Sequence, residues 1–238
     1  MGALLHPDPQ DILIIGQGTA GTPIAAGIKP QTRNVRVVDI AAPVLDVMLA
    51  AARRSGDDTL HKPVREYYAD RRFTRLVADA RHVLLTEDTR YDIIEADAVV
   101  PTSALAGQLY STEFFRLVLS RLKPGGLVVQ WMPSDRTLAT FLRVFPYVVR
   151  INWMLIGSAD PIEFGDRRLA KALAGPAGEY LTRMGWKLDE VAPVLTEGSI
   201  QSWRPGDPRD DRDVNTDMFP KDEYYWINRK IDLIGDSG

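Results

Sequence analysis

From Asp11 onward, short apolar runs alternate with segments of helical apolar spacing, and this alternation restricts the chain to a mostly parallel sheet covered by helices on both faces. Residues 12–15, 35–39, 74–78, 92–95 and 127–131 are the five clearest strands, and 147–151 and 154–156 fit two more. Between them, a helix runs from about Ala20 to the breakers Gly27 and Pro30, and a second opens on Pro43, whose missing N–H costs nothing in a first turn. Further helices are expected over 81–85, over 112–122 behind an N-cap at Ser111, and from Ser134 to about Phe145. Residues 166–185 read as a helical pair and 203–222 as a long Pro-, Gly- and Asp-rich loop. The Lys123-Pro124-Gly125-Gly126 turn leads into the fifth strand.

With 238 residues, 45% hydrophobic and 26% charged, the chain suits one large globular domain over 1–238, with a core over 10–165 and residues 166–238 decorating it. Lys plus Arg total 29 against 32 Asp plus Glu, and the basic residues are scattered, so no nucleic-acid partner is expected. Without cysteine there is no disulfide, thiolate or Cys-ligated metal, and His6, His61 and His82 lack metal-ligand spacing, so no metal site is expected. No apolar run approaches the roughly 20 residues that span a bilayer, and Met1 to Gln10 has no signal-peptide pattern. The expectation is a cytoplasmic chain without a membrane partner.

Gly16-Gln17-Gly18-Thr19-Ala20-Gly21 has the spacing G-x-G-x-x-G directly after a strand and at a helix start, where absent side chains let a ligand approach backbone N–H groups. Alone, this pattern equally describes a tight strand-to-helix turn. Asp39 ends the second strand, where a carboxylate can accept both hydroxyls of a ribose. These features fit a dinucleotide protein or an adenosyl-sulfonium protein. Asp79-Ala80 after the third strand and Asp97-Ala98 after the fourth add a carboxylate at successive strand ends, a set that a dinucleotide fold does not call for.

The series His6-Pro7-Asp8-Pro9, Ile12 to Gly16, Asp39, Val77-Ala78-Asp79-Ala80-Arg81, Tyr91-Asp92-Ile93-Ile94, Leu109 to Phe115 and Leu122 to Gly126 resembles spermidine/spermine synthases, the polyamine aminopropyltransferases. Asn215-Thr216-Asp217, Pro220 and Glu223-Tyr224 resemble their C-terminal motif. The resemblance implies an α/β fold of the Rossmann-like class I methyltransferase type, with seven mostly parallel strands. It also implies a transferase of polyamine biosynthesis that moves an aminopropyl group from decarboxylated S-adenosylmethionine to an amine and releases methylthioadenosine. By resemblance, Gly16, Gln17, Gly18, Thr19 and Gly21 form the nucleoside loop. Asp39 with Ile40 holds the ribose side, and Asp79 with Ala80 the adenine. Asp97 with Ala98 faces the reacting centre, where Asp97 serves as base and acceptor anchor. No permanently bound cofactor is expected, only this co-substrate.

The sequence departs from that pattern in three places. Val100 stands where the synthases carry a second aspartate, and Gln17 and Thr19 replace residues of a Gly-Gly-Gly-Asp-Gly run. The N-terminal β-rich segment that synthases carry ahead of the first strand is not in this sequence. Val100 opens a second enzyme reading, with S-adenosylmethionine itself as donor of a methyl or aminocarboxypropyl group and S-adenosylhomocysteine as the methyl-transfer product. A third reading is a non-catalytic nucleoside-binding domain.

Tyr110 and Gln108 could line the acceptor pocket, Tyr110 as a catalytic residue or as a packing ring at a helix entrance. Trp131 could wall the sulfonium by a cation–π contact or pack a core edge. Glu95 is expected to be structural or solvent-facing, His82 to pack, and residues 207–217 to form a lid or a solvated connection. Tyr224, Tyr225 and Trp226 are expected to cover the sheet, or, if exposed, to mark a homodimer contact.

Overall fold

The computed structural model describes residues 1–54, 58–96, 101, 103, 106–196 and 199–225. In chain order the elements are α1 (Gly2–Leu5), β1 (Asp11–Ile15), α2 (Gly21–Ala26), β2 (Asn34–Asp39), α3 (Ala42–Arg54), α4 (Asp58–Ala69), β3 (Phe73–Val77), α5 (Ala80–Thr86) and β4 (Tyr91–Ala96). A 3-10 turn (Ala106–Tyr110) precedes α6 (Thr112–Ser120), β5 (Leu122–Trp131), α7 (Asp135–Val144), β6 (Tyr147–Ile151) and β7 (Met154–Ser158). The chain closes with α8 (Asp166–Leu173), α9 (Pro176–Arg183), α10 (Leu188–Thr196), β8 (Ile200–Trp203) and α11 (Lys221–Tyr225).

The strands form one sheet in the order β3-β2-β1-β4-β5-β7-β6-β8. The first five are mutually parallel, and β7 runs antiparallel to β5 and β6. Central parallel strands lose solvent on both faces, so they must be apolar throughout. Every residue of β4 is buried, as are Ile12, Leu13, Ile14 and Ile15 of β1. One face carries α5, α6 and α7 on a core that includes Phe114, Phe115, Phe141 and Phe145. The other face carries α2, α4, α8 and α9 around Ile14, Val37, Tyr67, Leu173 and Leu181. Packing is tight where α7 crosses β7: a Cβ on Gly157 would lie 2.7 Å from both the Phe141 and Phe145 rings.

Chain order reverses between β1 and β4, which opens a crevice at the C-terminal ends of those strands, where open α/β sheets bind ligands. Register brings the ends together there: Ile15 pairs with Val38 and Ala96, Ala96 with Gln130, and Asp39 with Val77.

Most expected elements are present, including the N-caps: Ser111 accepts from the Phe114 N–H and Ser134 from the Thr137 N–H. The sheet has eight strands rather than seven, because β8 adds antiparallel to β6. That short, half-exposed edge strand contains Gln201 and Ser202 and lacks the apolar run of a central strand. Helices α1, α4 and α10 were not foreseen: α1 has only four residues, while Pro63 and Pro193 sit inside α4 and α10 and read as breaks. The Lys123-to-Gly126 turn is an irregularity within β5, with a register shift between Tyr91 and Ile93, and Lys123 bonds Asp11 and Asp92 at the opposite edge from the crevice.

Candidate nucleoside and acceptor site

The turn from β1 to α2 is bent by Gly16 (φ +91°), Gly18 (φ +48°) and, without a glycine, Ala20 (φ +69°). A Cβ on Gly18 would meet nothing within 4 Å, so what favours glycine there is the backbone angle, not crowding, and the turn's outer face is open. Gly18 and Thr19 are exposed. Gly21 faces the Trp186 ring, 3.8 Å from where its Cβ would be.

Asp39 holds this turn from the end of β2. Its Oδ2 accepts the Gln17 N–H at 2.7 Å and its Oδ1 the Ala41 N–H at 2.8 Å, so one carboxylate ties together the turns that follow β1 and β2. Beside it, Ile40 is 75% and Val77 48% exposed, an apolar shelf at the ends of β2 and β3. Asp79 caps α5, its Oδ1 accepting from the Arg81 N–H at 2.8 Å and the His82 N–H at 3.4 Å, and it remains exposed at the shelf's end while Ala80 is buried.

Gln17 is almost wholly buried and its side chain turns behind the loop: Tyr67 donates to Oε1 at 3.0 Å, and Nε2 donates to the Tyr68 hydroxyl at 3.1 Å. Its spacing in the glycine motif gave no sign of that clamp.

Asp97, Ala98 and Val100 lie outside the described residues. Next to Ala96 in register is a residue that sequence reading missed. Gln130 is fully buried at the end of β5, and neither its Nε2 nor its Oε1 has a hydrogen-bond partner among the described residues. Leaving a polar group buried and unpaired costs about 1–3 kcal/mol. Strand alternation puts Gln130 on the same face as Val128.

Tyr110 is fully buried, and the Gln108 carbonyl accepts from Arg81 and from the Ser111 hydroxyl. Trp131 is half-buried at the end of β5. Glu95 is buried, not solvent-facing, and accepts the Gly2 N–H at 3.3 Å. His82 is exposed instead of packed, because Ala80, Val83 and Leu84 form the buried face of α5. Tyr224 is 67% exposed and does not cover the sheet; the Tyr225 ring and Trp226 lie outside the described residues.

The acidic loop is fastened down, not poised as a lid. Asp211 pairs with Arg143, Asp213 with Arg136 and Lys221, and Asp217 with Arg81 through both guanidinium nitrogens, while Arg209 donates to the carbonyls of Leu142, Phe145 and Pro146. Its anchor is buried: Asn215 and Asp222 exchange bonds of 2.9 and 3.1 Å, and Asp222 also accepts from Ser134, Thr137 and Arg136.

Arg136, with Lys221, draws the Asp213 carboxyl down to about 2. Burial pushes the Asp217 carboxyl up, but hydrogen bonds from Arg81 and Ser111 outweigh it and leave the group lowered. Depressed carboxylates stabilise the fold above their unfolded value of about 3.9, and that contribution disappears as pH falls through the folded value. The strap is therefore expected to release between about pH 4 and pH 2, seen as rising proteolytic cleavage within 204–220. Cleavage already rising between about pH 7 and 5 would assign the hold to other groups.

The fold is that of the Rossmann-like methyltransferases, and its crevice carries a glycine turn tied to a strand-end carboxylate. Solved structures with this fold include a spermidine synthase in complex with the transition-state analogue AdoDATO (TM-score 0.59, 19% identity, 82% of this chain and 68% of that one). Another is human methyltransferase-like protein 13 in complex with SAH (TM-score 0.52, 20% identity, 78% and 88% covered). The Spermine/spermidine synthase domain profile matches residues 1–135. Similar relatives include polyamine aminopropyltransferase 2 of Pseudomonas aeruginosa, 29% identical over 234 residues, with 82% of this chain and 64% of the relative covered. The polyamine aminopropyltransferase of Aeropyrum pernix is 31% identical over 205 residues, covering 75% and 63%. The chain belongs to the spermine/spermidine synthase family. It spans just under two thirds of the length of those two relatives. Among the described residues, no helix is long and apolar enough to cross a membrane.

Proposed function

We propose that the chain binds an adenosyl sulfonium, decarboxylated S-adenosylmethionine, and transfers its aminopropyl group to an amine. The observation that carries this reading is the juxtaposition at one sheet edge of the open Gly16-to-Gly21 turn, the Asp39 brace and the apolar shelf of Ile40 and Val77. A flat base fits the shelf, Asp79 at its end can accept from an exocyclic amine, and the lone pairs of Asp39 not engaged by backbone can accept from ribose hydroxyls. The family membership supports the same donor class.

In the reaction the amine lone pair attacks the methylene carbon bonded to sulfur, the carbon–sulfur bond breaks, and neutral methylthioadenosine leaves. The amine gives up one proton, and Asp97, which follows Ala96 in the chain, is the proposed acceptor of it. Gln130 supplies the acceptor side: its amide oxygen can accept from an ammonium or amine N–H, which removes the cost of leaving it unpaired. Val100, in place of a second carboxylate, favours a second reading in which S-adenosylmethionine is the donor.

The test is calorimetric titration with methylthioadenosine, decarboxylated S-adenosylmethionine, S-adenosylmethionine and NAD, followed by an amine screen. Preference for the decarboxylated donor or methylthioadenosine is expected; preference for S-adenosylmethionine selects the second reading, and binding of none ends the nucleoside assignment. Gln130→Leu should separate stability from function: unfolding free energy unchanged or raised by about 1 kcal/mol, because an unpaired buried amide is removed, with KM for the amine raised about tenfold. An unchanged amine KM would remove Gln130 from the acceptor site.

A further inference from the structure

We propose that Tyr67 and Tyr68 of α4 are positioning residues that lock the Gly16-to-Gly21 turn from behind, acting through the Gln17 amide. Its link to catalysis rests on the adenosyl-donor reading above. The turn passes through positive φ at Gly16, Gly18 and Ala20, and glycine-containing turns of this kind sample many backbone states unless something holds them. Four bonds hold Gln17: its N–H to Asp39, its carbonyl from the Ala20 N–H, its Oε1 from Tyr67 and its Nε2 to Tyr68. With Gln17 buried and both ends of its amide satisfied, the residue between Gly16 and Gly18 is fixed before any ligand arrives.

The clamp continues on either side. Tyr68 donates its own hydroxyl to the Leu45 carbonyl at 2.7 Å, so the same ring braces α3, which follows Asp39 and Ile40. Arg75 of β3 lies over both rings, its guanidinium carbon 5.1 Å from the Tyr67 centroid and 4.7 Å from that of Tyr68, holding the pair against the sheet. Asp39 from the front and the tyrosine pair from behind thus secure the turns after β1 and β2 as one unit. Burial pushes the Tyr67 hydroxyl up to about 12, so it remains a donor at neutral pH. A site ordered in advance binds more tightly because the ligand does not have to order it.

Hydrogen–deuterium exchange over residues 16–21 of the free protein tests the lock, and methylthioadenosine affinity tests its use, in Tyr67→Phe, Gln17→Ala and the double variant. Tyr67→Phe removes one hydroxyl and is expected to speed exchange of the turn amides and weaken methylthioadenosine binding by about fivefold. In the Gln17→Ala background the same change should add less than about twofold, since its target is gone. A lowered melting temperature with unchanged turn exchange would make the tyrosines merely structural and overturn the proposal. Faster turn exchange with unchanged affinity, measured well below melting, would overturn their positioning role. If the unaltered chain does not bind methylthioadenosine while Tyr67→Phe still loosens residues 16–21, the lock stands and the nucleoside reading falls.

Discussion

Replacing Asp222 with alanine is expected to lower the unfolding free energy by about 3–5 kcal/mol, the largest loss we anticipate from any single side chain described. Asp222 is 1% exposed, and its carboxylate accepts from Arg136 at 2.6 Å, Ser134 at 2.6 Å, Asn215 at 2.9 Å and Thr137 at 3.3 Å. Removing it takes from the partly buried Arg136 guanidinium its buried carboxylate partner, leaving only the more exposed Asp213, and strips the Asn215 amide and the Ser134–Thr137 hydroxyl pair of their shared acceptor, so the penalty is their desolvation more than the pair's net attraction. Asp222→Asn keeps one acceptor oxygen and the shape, so an intermediate loss is expected. Urea unfolding followed by tryptophan fluorescence measures both, and limited proteolysis within 204–220 shows whether the strap comes free. A loss below about 1 kcal/mol for the alanine variant would mean the network forms without its central carboxylate.

The second large effect is on the ligand side. Asp39→Ala is expected to weaken methylthioadenosine binding at least about a hundredfold, because two charge-assisted backbone bonds that shape the turn are lost, each worth about 1.5–3 kcal/mol. Asparagine should serve hardly better. Both carboxylate oxygens face N–H donors, from Gln17 and Ala41, and an amide offers only one acceptor while pointing its NH2 at the other donor. Calorimetry well below the melting temperature separates this from unfolding. Full affinity retained in Asp39→Asn would show that the twofold acceptance is dispensable.

These two residues differ in how much their sequence context revealed. Asp39 was readable as a strand-end carboxylate at the crevice because a buried strand must end before a helix begins, and whatever closes such a strand sits there. Its second task, bracing Gln17, was not readable, since it requires two turns 22 residues apart to approach within 2.7 Å. Asp222 was read as part of a loop, because its partners on α7 lie 85 to 88 residues away. Likewise Gln130 reads as a polar residue in a strand until its environment proves to contain no partner among the described residues. Helix α4 was not foreseen; it runs through Pro63 and delivers Tyr67 and Tyr68 to the glycine turn.

By itself, then, the order of residues determined the features whose causes are local. The apolar runs of β1, β2, β4 and β5, the caps at Ser111 and Ser134, and the glycine turn follow from side-chain period, capping chemistry and backbone angle within a few residues. Only the tertiary structure decided the eighth strand, the clamp behind the turn, the strap anchored on Asp222 and the unpaired amide of Gln130. Each of these depends on which polar groups find partners across the sheet, and burial makes such pairing strongly favoured when met and costly when missed, whatever the sequence separation.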